Sequence, residues 1–186
     1  ENESINMEIK SMLSSKTFKV FSSQDTQGVE LAGALKNIYA ICCGIAHAKL
    51  VGENALGFIV TRSMAEMSRF AVAKGANPIT FLGLAGMGDL MATCTSQLSR
   101  NFQLGELIAE DLSLIAAKEK VGQVAEGART LEVVYHEANK MNVSMPLVNS
   151  LYKILYSDSS SDQLIQDLLD HPNEVDVEFT YKEKKL

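Results

Sequence analysis

The chain has 186 residues, of which 46% are hydrophobic, and a formal net charge of -6. That length is enough for one substantial domain with its own core, or for one domain plus part of another. The negative charge argues against a nucleic-acid surface, although one arginine in a pocket can still hold a small phosphorylated ligand.

The N-terminal segment differs from the rest of the chain. The sequence begins with Glu1 and shows no signal peptide, which indicates a start inside a longer chain. Residues 17–22 are rich in β-branched and aromatic side chains and are followed by serines. This pattern predicts a short strand over 17–22.

Helical periodicity dominates the chain after residue 27. The predicted helices cover residues 28–47, 53–74, 78–83, 88–95, 101–109, 112–119, 127–141, 147–156 and 161–170. Two of the breaks are marked by prolines, Pro78 and Pro146, which favour the first turn of a new helix. The charged tail, 172–186, offers little to pack, and we expect it to be disordered.

The cysteine and histidine content argues against disulfides and metal sites. Cys42, Cys43 and Cys94 lack the spacing of a disulfide framework or a zinc site, so we expect reduced, buried thiols in a cytosolic protein. No histidine has a companion at metal-ligand spacing. His47 is a candidate general acid, but a loop histidine with a local partner is the interpretation we favour. No uncharged apolar run reaches about 18 residues, so no membrane span is predicted.

Lys36 lies in a segment, residues 28–44, that is built almost entirely from Ala, Gly and aliphatic residues, and it has no acidic residue one turn ahead. On a helix it shares an arc with Gly33 and Asn37, while the aliphatic residues form another arc. Gly33 weakens a helix unless something must approach it closely. The arc therefore fits the lining of a cleft, and a lysine that extends into water is the alternative.

A second polar group begins at Asp89, which opens a predicted helix with Thr93 four residues later on the same face. A plain helix N-cap at Asp89 is the alternative. The glycines before it do not form a dinucleotide-binding loop, because Met91 stands where the third glycine belongs and no strand precedes them.

The tripeptide Ser99-Arg100-Asn101 comes directly before another predicted helix. Free N–H groups at a helix start, the helix dipole and a bidentate arginine together suit a phosphate. An exposed arginine after a serine cap is the alternative. The other arginines of interest, Arg62 and Arg129, are interpreted as solvent or structural charges.

Three segments occur in one order along the chain: GVELAGALKNIYAI from Gly28, GLAGMGDLMATCTSQLSRN from Gly83 and VGQVAEG from Val121. Together they resemble the C-terminal half of the bacterial NAD(P)-dependent glycerol-3-phosphate dehydrogenases, over roughly residues 15–157. The resemblance implies a mainly α, multi-helical domain of the glycerol-3-phosphate/6-phosphogluconate dehydrogenase type over 28–171. Residues 1–27 would then be the last helix and strand of a Rossmann cofactor domain whose remainder is missing.

The resemblance also implies an activity, the reversible reduction of dihydroxyacetone phosphate to sn-glycerol 3-phosphate with NAD(P)H. Lys36 matches the catalytic lysine, which stabilises the developing alkoxide and transfers a proton. The substrate-binding positions match Lys36, Asp89, Thr93, Ser99, Arg100 and Asn101, and the cofactor-binding positions match Arg100, Val124 and Glu126. A cytoplasmic enzyme of phospholipid synthesis is implied, with a homodimer as one open oligomeric state.

Three points stay open at the level of sequence. The family usually has a glycine-rich segment with an Asp-Gly after the lysine, whereas this chain has CCGIAHAKLVGENA from Cys42. NAD and NADP are equal candidates, because the residue at the ribose 2'-position would lie in the missing domain. The alternative function is a non-enzymatic helical module that binds a phosphorylated metabolite or mediates dimerisation.

Overall fold

Helices follow one another through the computed structural model, which describes residues 3–157 and 159–170. They are α1 (Glu3–Leu13), α2 (Thr26–Ala48), α3 (Glu53–Ala73), α4 (Asp89–Cys94), α5 (Arg100–Ala109), α6 (Leu114–Val121), α7 (Glu126–Lys140), α8 (Pro146–Tyr156) and α9 (Asp162–Asp170). A 3-10 helix, Pro78–Leu82, and a π-helix, Leu84–Gly88, connect α3 to α4. The predicted mainly α architecture is confirmed, and the predicted tail at 172–186 lies outside the described residues.

The strand predicted at residues 17–22 is wrong for this structure, because the segment has no strand assignment. A strand needs a neighbouring strand to complete its ladder of hydrogen bonds, and no described residue supplies one. Phe18 and Phe21 are 60% and 69% exposed, so the segment has no apolar surface to pack on. A helix is present where the last helix of 1–27 was expected, but α1 buries no residue.

The central element is α2, which packs against α3, α4, α5 and α7. Of its predicted packing arc, Leu35, Ile38 and Ile41 are at most 1% exposed. Leu31 is half-buried, and Ala34 is exposed against the prediction. Among the described helices, α2 alone has the length and apolar composition of a membrane span. Since 61% of that window is buried inside the protein, the composition is that of a core helix.

Two glycines allow α2 and α5 to meet at backbone distance. A Cβ atom on Gly44 would lie 2.0 Å from the carbonyl oxygen of Phe102, and one on Gly105 would lie 2.1 Å from that of Ile41. No carbon atom fits at such a distance, so any larger residue would push the helices apart. The contact fixes the start of α5, where Arg100 lies, beside α2.

A buried carboxylate ties α8 to α2 and α3. Glu66 on α3 is 1% exposed. It accepts hydrogen bonds from the N–H groups of Leu147 (2.6 Å) and Val148 (3.3 Å) and from the Tyr39 hydroxyl (3.2 Å). Burial raises the pKa of this carboxyl to about 7, although the backbone donors oppose the rise. Glu66 thereby satisfies N–H groups that the first turn of α8 leaves without helical partners.

Candidate functional site

Lys36 finds its acidic partner on a different helix. Its Nζ lies 2.5 Å from Oδ2 of Asp89, which is 53 residues further along the chain. The two side chains are 22% and 39% exposed. The ion pair is therefore partly enclosed between α2 and α4 but open to a small molecule.

The turn before α4 places Asp89 against Lys36. The π-helix runs directly into α4, and a Cβ atom on Gly86 would lie 2.2 Å from the carbonyl oxygen of Phe81. Only glycine permits this approach. The N-cap position of α4 is occupied by Gly88, and Asp89 is the first residue of the helix. The plain N-cap that was the alternative for Asp89 is therefore not what the structure shows.

Thr93 follows on the same face of α4 and is half-buried. Its hydroxyl donates a hydrogen bond to the backbone carbonyl of Asp89 at 2.6 Å. The hydroxyl oxygen keeps its lone pairs for an incoming donor. Carboxylate and hydroxyl thus lie one turn apart on one face, as the sequence predicted.

Asn101 joins three segments of the site and is 8% exposed. Its Oδ1 accepts the N–H of Gly127 at 2.9 Å, and its Nδ2 donates to Oδ1 of Asn37 at 3.0 Å. A Cβ atom on Gly127 would lie 2.5 Å from the carbonyl oxygen of Asn37, so glycine is required at this contact. Asn37 shares the arc of Lys36, but no role was predicted for it because its partner is distant in sequence.

Ser99 and Arg100 occupy the start of α5. The Ser99 Oγ accepts the N–H of Phe102 at 3.4 Å, as an N-cap does. Arg100 is exposed, and its guanidinium donates to Oε1 of Gln123 at 3.4 Å. A serine cap and an exposed arginine are both present, and the remaining guanidinium donors are free for an anion.

Val124 and Glu126 lie on the connection between α6 and α7 and on the first turn of α7. Both line an open cavity of about 790 Å³, together with Lys118 and Arg129. Val124 is 73% exposed. Through Gln123 the Arg100 side chain reaches the rim of the same cavity.

His47 lies in the last turn of α2, so the predicted loop position is wrong, and its partner comes from α5. Its Nδ1 lies 2.9 Å from Oε1 of Glu106, and its ring contacts Phe102 at a centroid distance of 5.3 Å. His47 is eleven residues from Lys36 on α2, roughly 16 Å along the helix axis. It lines a different cavity and does not belong to the site of Lys36 and Asp89.

The three cysteines are free and buried. Burial raises the pKa of the Cys42 thiol, and a hydrogen bond to Cys43 together with burial raises that of Cys94. Thiols that stay protonated are poor nucleophiles and poor metal ligands. Within residues 3–157 and 159–170, no three His, Cys, Asp or Glu side chains are grouped so that they could hold a metal ion.

Comparison with known proteins gives consistent results. The family model described as NAD-dependent glycerol-3-phosphate dehydrogenase C-terminus matches residues 25–166. The chain is 49% identical over 178 residues to the glycerol-3-phosphate dehydrogenase (NAD(P)+) of Alcanivorax borkumensis, covering 96% of this chain and 52% of that protein. The enzyme of Pseudomonas putida is 47% identical over 179 residues, with the same coverage of 96% and 52%. The chain therefore spans about half the length of the curated relatives it matches.

Solved structures agree with the fold. The crystal structure of glycerol-3-phosphate dehydrogenase from Coxiella burnetii superposes with a TM-score of 0.87 at 35% identity, covering 92% of this chain and 53% of that one. The Plasmodium falciparum enzyme superposes with a TM-score of 0.82 at 23% identity, covering 93% and 51%. At that lower identity the second structure supports the fold alone.

Proposed function

Because the chain belongs to the family of the NAD-dependent glycerol-3-phosphate dehydrogenase C-terminus, we propose that it forms the substrate-binding and catalytic half of such an enzyme. The reaction is the reversible reduction of dihydroxyacetone phosphate to sn-glycerol 3-phosphate with NADH or NADPH. One observation supports this above the others: Lys36, paired with Asp89, lies on a partly open face beside the partly buried Asn37–Asn101 contact. We assign residues 28–171 to this helical domain and residues 1–27 to the end of a cofactor domain.

Lys36 is the acid of the reduction in this proposal. Its ammonium donates a hydrogen bond to the substrate carbonyl oxygen and gives up a proton as negative charge develops there. In the reverse direction the neutral amine accepts the alcohol proton. Asp89 holds the Nζ in place, and an ammonium has two further N–H donors beyond the one used in the ion pair. The reduced nicotinamide, when bound, supplies the hydride that reaches the carbonyl carbon.

The phosphate end of the substrate is assigned to Arg100 and Ser99. A guanidinium binds two phosphate oxygens at once, and the Ser99 hydroxyl can donate its own hydrogen while its oxygen caps α5. Asn101 keeps one amide hydrogen after its bond to Asn37. Thr93 is assigned to the part of the substrate that lies between the carbonyl and the phosphate.

The spacing between acid and phosphate clamp follows from one hydrogen bond. Lys36 and Asn37 are neighbours on α2, and Arg100 and Asn101 are neighbours on α5. Because the amides of Asn37 and Asn101 bond at 3.0 Å, the two helices keep a fixed separation at this point. A three-carbon substrate with a carbonyl at its central carbon and a phosphate at one end fits such a two-point arrangement.

The cavity between α6 and α7 fits the nicotinamide end of a dinucleotide. The exposed aliphatic side chain of Val124 can pack on a planar ring, and the Glu126 carboxylate can accept hydrogen bonds from a carboxamide. Arg100 borders the same cavity through Gln123. Most of the cofactor site is assigned to a separate Rossmann domain, whose glycine-rich turn binds the pyrophosphate.

A cytoplasmic location is part of the proposal and is supported by three free, buried thiols, which fit a reducing compartment. The proposal includes a homodimer as one candidate for the oligomeric state. Light scattering on the purified chain distinguishes a dimer from a monomer.

The experiment that tests the function joins this chain to the cofactor-binding half of the Alcanivorax borkumensis relative. We expect the fusion to oxidise NADH or NADPH when dihydroxyacetone phosphate is added, and the chain alone to be inactive, because a bound hydride donor is needed. A fusion that binds NADH but reduces no dihydroxyacetone phosphate would favour the alternative, a helical module that only binds a phosphorylated metabolite.

A further inference from the structure

Two cations of the cavity between α6 and α7 have no role in the reaction described above. Lys118 on α6 and Arg129 on α7 both line the cavity and are exposed. Neither makes an ion pair with another described residue. Lys120, two residues further along α6, differs because it pairs with Glu110 at 3.6 Å and lines another cavity. The two unpaired cations therefore face one shared space.

Arg129 continues the row of side chains that begins with Glu126. Residues three apart on a helix share a face and are separated by roughly 4.5 Å along the axis. Thr130 also lines the cavity, so a carboxylate, a guanidinium and a hydroxyl follow one another along α7. Arg129 therefore lies one helical turn beyond Glu126, the residue whose carboxylate is assigned to bind the carboxamide.

In a nicotinamide dinucleotide, too, a charged group lies beyond the amide end. The carboxamide and ring come first, the ribose follows, and the first charged group beyond the ribose is a phosphate. A guanidinium is the side chain best shaped to bind two phosphate oxygens. The cavity also holds Glu119 and Glu126, so its charge is balanced. Balanced charge disfavours a free anion and favours a ligand that offers both amide donors and a phosphate.

We propose that Arg129, assisted by Lys118 and Thr130, forms a subsite for the cofactor phosphate next to the nicotinamide ribose. The inference rests on the proposed function, because Val124 and Glu126 locate the nicotinamide end. It assigns to this helical half a direct contribution to cofactor affinity through a charged contact.

The test uses the fusion of this chain with the cofactor-binding half, labelled with 15N, and two probes, NADH and dihydronicotinamide riboside, which lacks phosphate. Titration followed by NMR gives the dissociation constant of each probe for the unaltered chain, Arg129→Gln and Lys120→Gln. We expect Arg129→Gln to weaken NADH binding about tenfold and to leave the riboside unaffected. Lys120→Gln, the matched loss of one positive charge, should bind both probes as the unaltered chain does. Arg129→Lys should give an intermediate loss, because it keeps the charge and loses the fork.

Two results would overturn the subsite, and they are distinguishable from failure of the proposed function. If both probes shift the amide signals of Val124 and Glu126 but Arg129→Gln leaves NADH affinity unchanged, the nicotinamide site stands and the subsite is wrong. Equal weakening of NADH and riboside would show that Arg129 shapes the cavity and binds no phosphate. If neither probe shifts those signals, the cofactor assignment itself fails and the subsite with it. The amide spectra of the free variants show whether each one is folded.

Discussion

Lys36 and Tyr39 lie one turn apart on α2, and each contacts a carboxylate from another helix. The Lys36–Asp89 pair is 22% and 39% exposed, whereas Tyr39 and Glu66 are 0% and 1% exposed. Three protein donors surround the buried Glu66 carboxylate, so it has little capacity for a ligand. The exposed pair retains free donors and an open side. Burial and spare hydrogen-bonding capacity thus separate a contact that holds the fold from one that can perform chemistry.

The largest effect should come from removing the exposed partner. In the fusion enzyme, Lys36→Ala should lower kcat by about 10²–10⁴-fold, the usual contribution of a general acid or base. The melting temperature should change little, because a partly exposed ion pair contributes little to stability. Steady-state kinetics and calorimetry measure the two quantities. If Lys36→Ala lowered the melting temperature and left kcat unchanged, the Lys36–Asp89 pair would hold the fold and take no part in the reaction.

The buried carboxylate should instead govern stability and its pH dependence. The pKa of Glu66 is raised from 4.5 to about 7 in the folded chain. The folded state therefore binds the proton more tightly, and the free energy of unfolding should fall as the pH rises from about 4.5 to about 7. Each unit of pKa shift corresponds to roughly 1.4 kcal/mol, so the total is on the order of a few kcal/mol.

Urea unfolding at several pH values, on the unaltered chain and on Glu66→Gln, isolates this effect. The difference in slope between the two proteins reports Glu66, because the other titrating groups are common to both. A stability that rises with pH in the unaltered chain relative to Glu66→Gln would mean that the carboxylate is favoured over the neutral acid on folding.

Arg100 separates a phosphate clamp from an exposed helix-start arginine. Arg100→Lys keeps the charge and loses the bidentate fork, so kcat/KM for dihydroxyacetone phosphate should fall about tenfold or more. The control is dihydroxyacetone, which has no phosphate and should be almost unaffected by the change. Equal losses on both substrates would assign Arg100 to the fold or to the cofactor.

The smallest expected effect is a gain of stability at the end of α2, away from both carboxylates. Leu50 has a φ of 55° and is 87% exposed, in a helix terminus where Val51 donates to the carbonyl of Ala46. Left-handed backbone costs a non-glycine residue about 1 kcal/mol, so Leu50→Gly should raise the free energy of unfolding by up to that amount. Leu98, which is 88% exposed with no positive φ, provides the matched control. Leu98→Gly should give no gain, and equal responses of the two variants would contradict this interpretation.

The helices were predictable because their signals are local. Apolar periodicity and prolines at first turns place the helix ends within about two residues of those observed. The strand at 17–22 failed for the opposite reason, since β-branched and aromatic residues show the preference of a segment but not whether partner strands are present. Where structure depends on distant residues, a local pattern gives only a tendency.

The site could be predicted as a set of residues but not as an arrangement. The resemblance located Lys36 and Asp89, but their contact spans 53 positions and has no local signal. The role of Asn37 was missed for the same reason, because its partner Asn101 lies on α5. Glu66 was missed although the sequence carried a signal. It lies between Met64 and Met67 in an apolar stretch of α3, where a charged side chain indicates a buried group with hydrogen-bond partners.

The claim that Lys36 supplies the proton is tested most directly by chemical rescue. In the fusion enzyme carrying Lys36→Ala, added methylammonium can occupy the space of the missing side chain and donate a proton. We expect kcat to rise with methylammonium concentration and not to rise with tetramethylammonium, which has the same charge and no N–H. Equal rescue by both cations, or none by methylammonium while dihydroxyacetone phosphate still binds, would contradict the role of Lys36 as the acid.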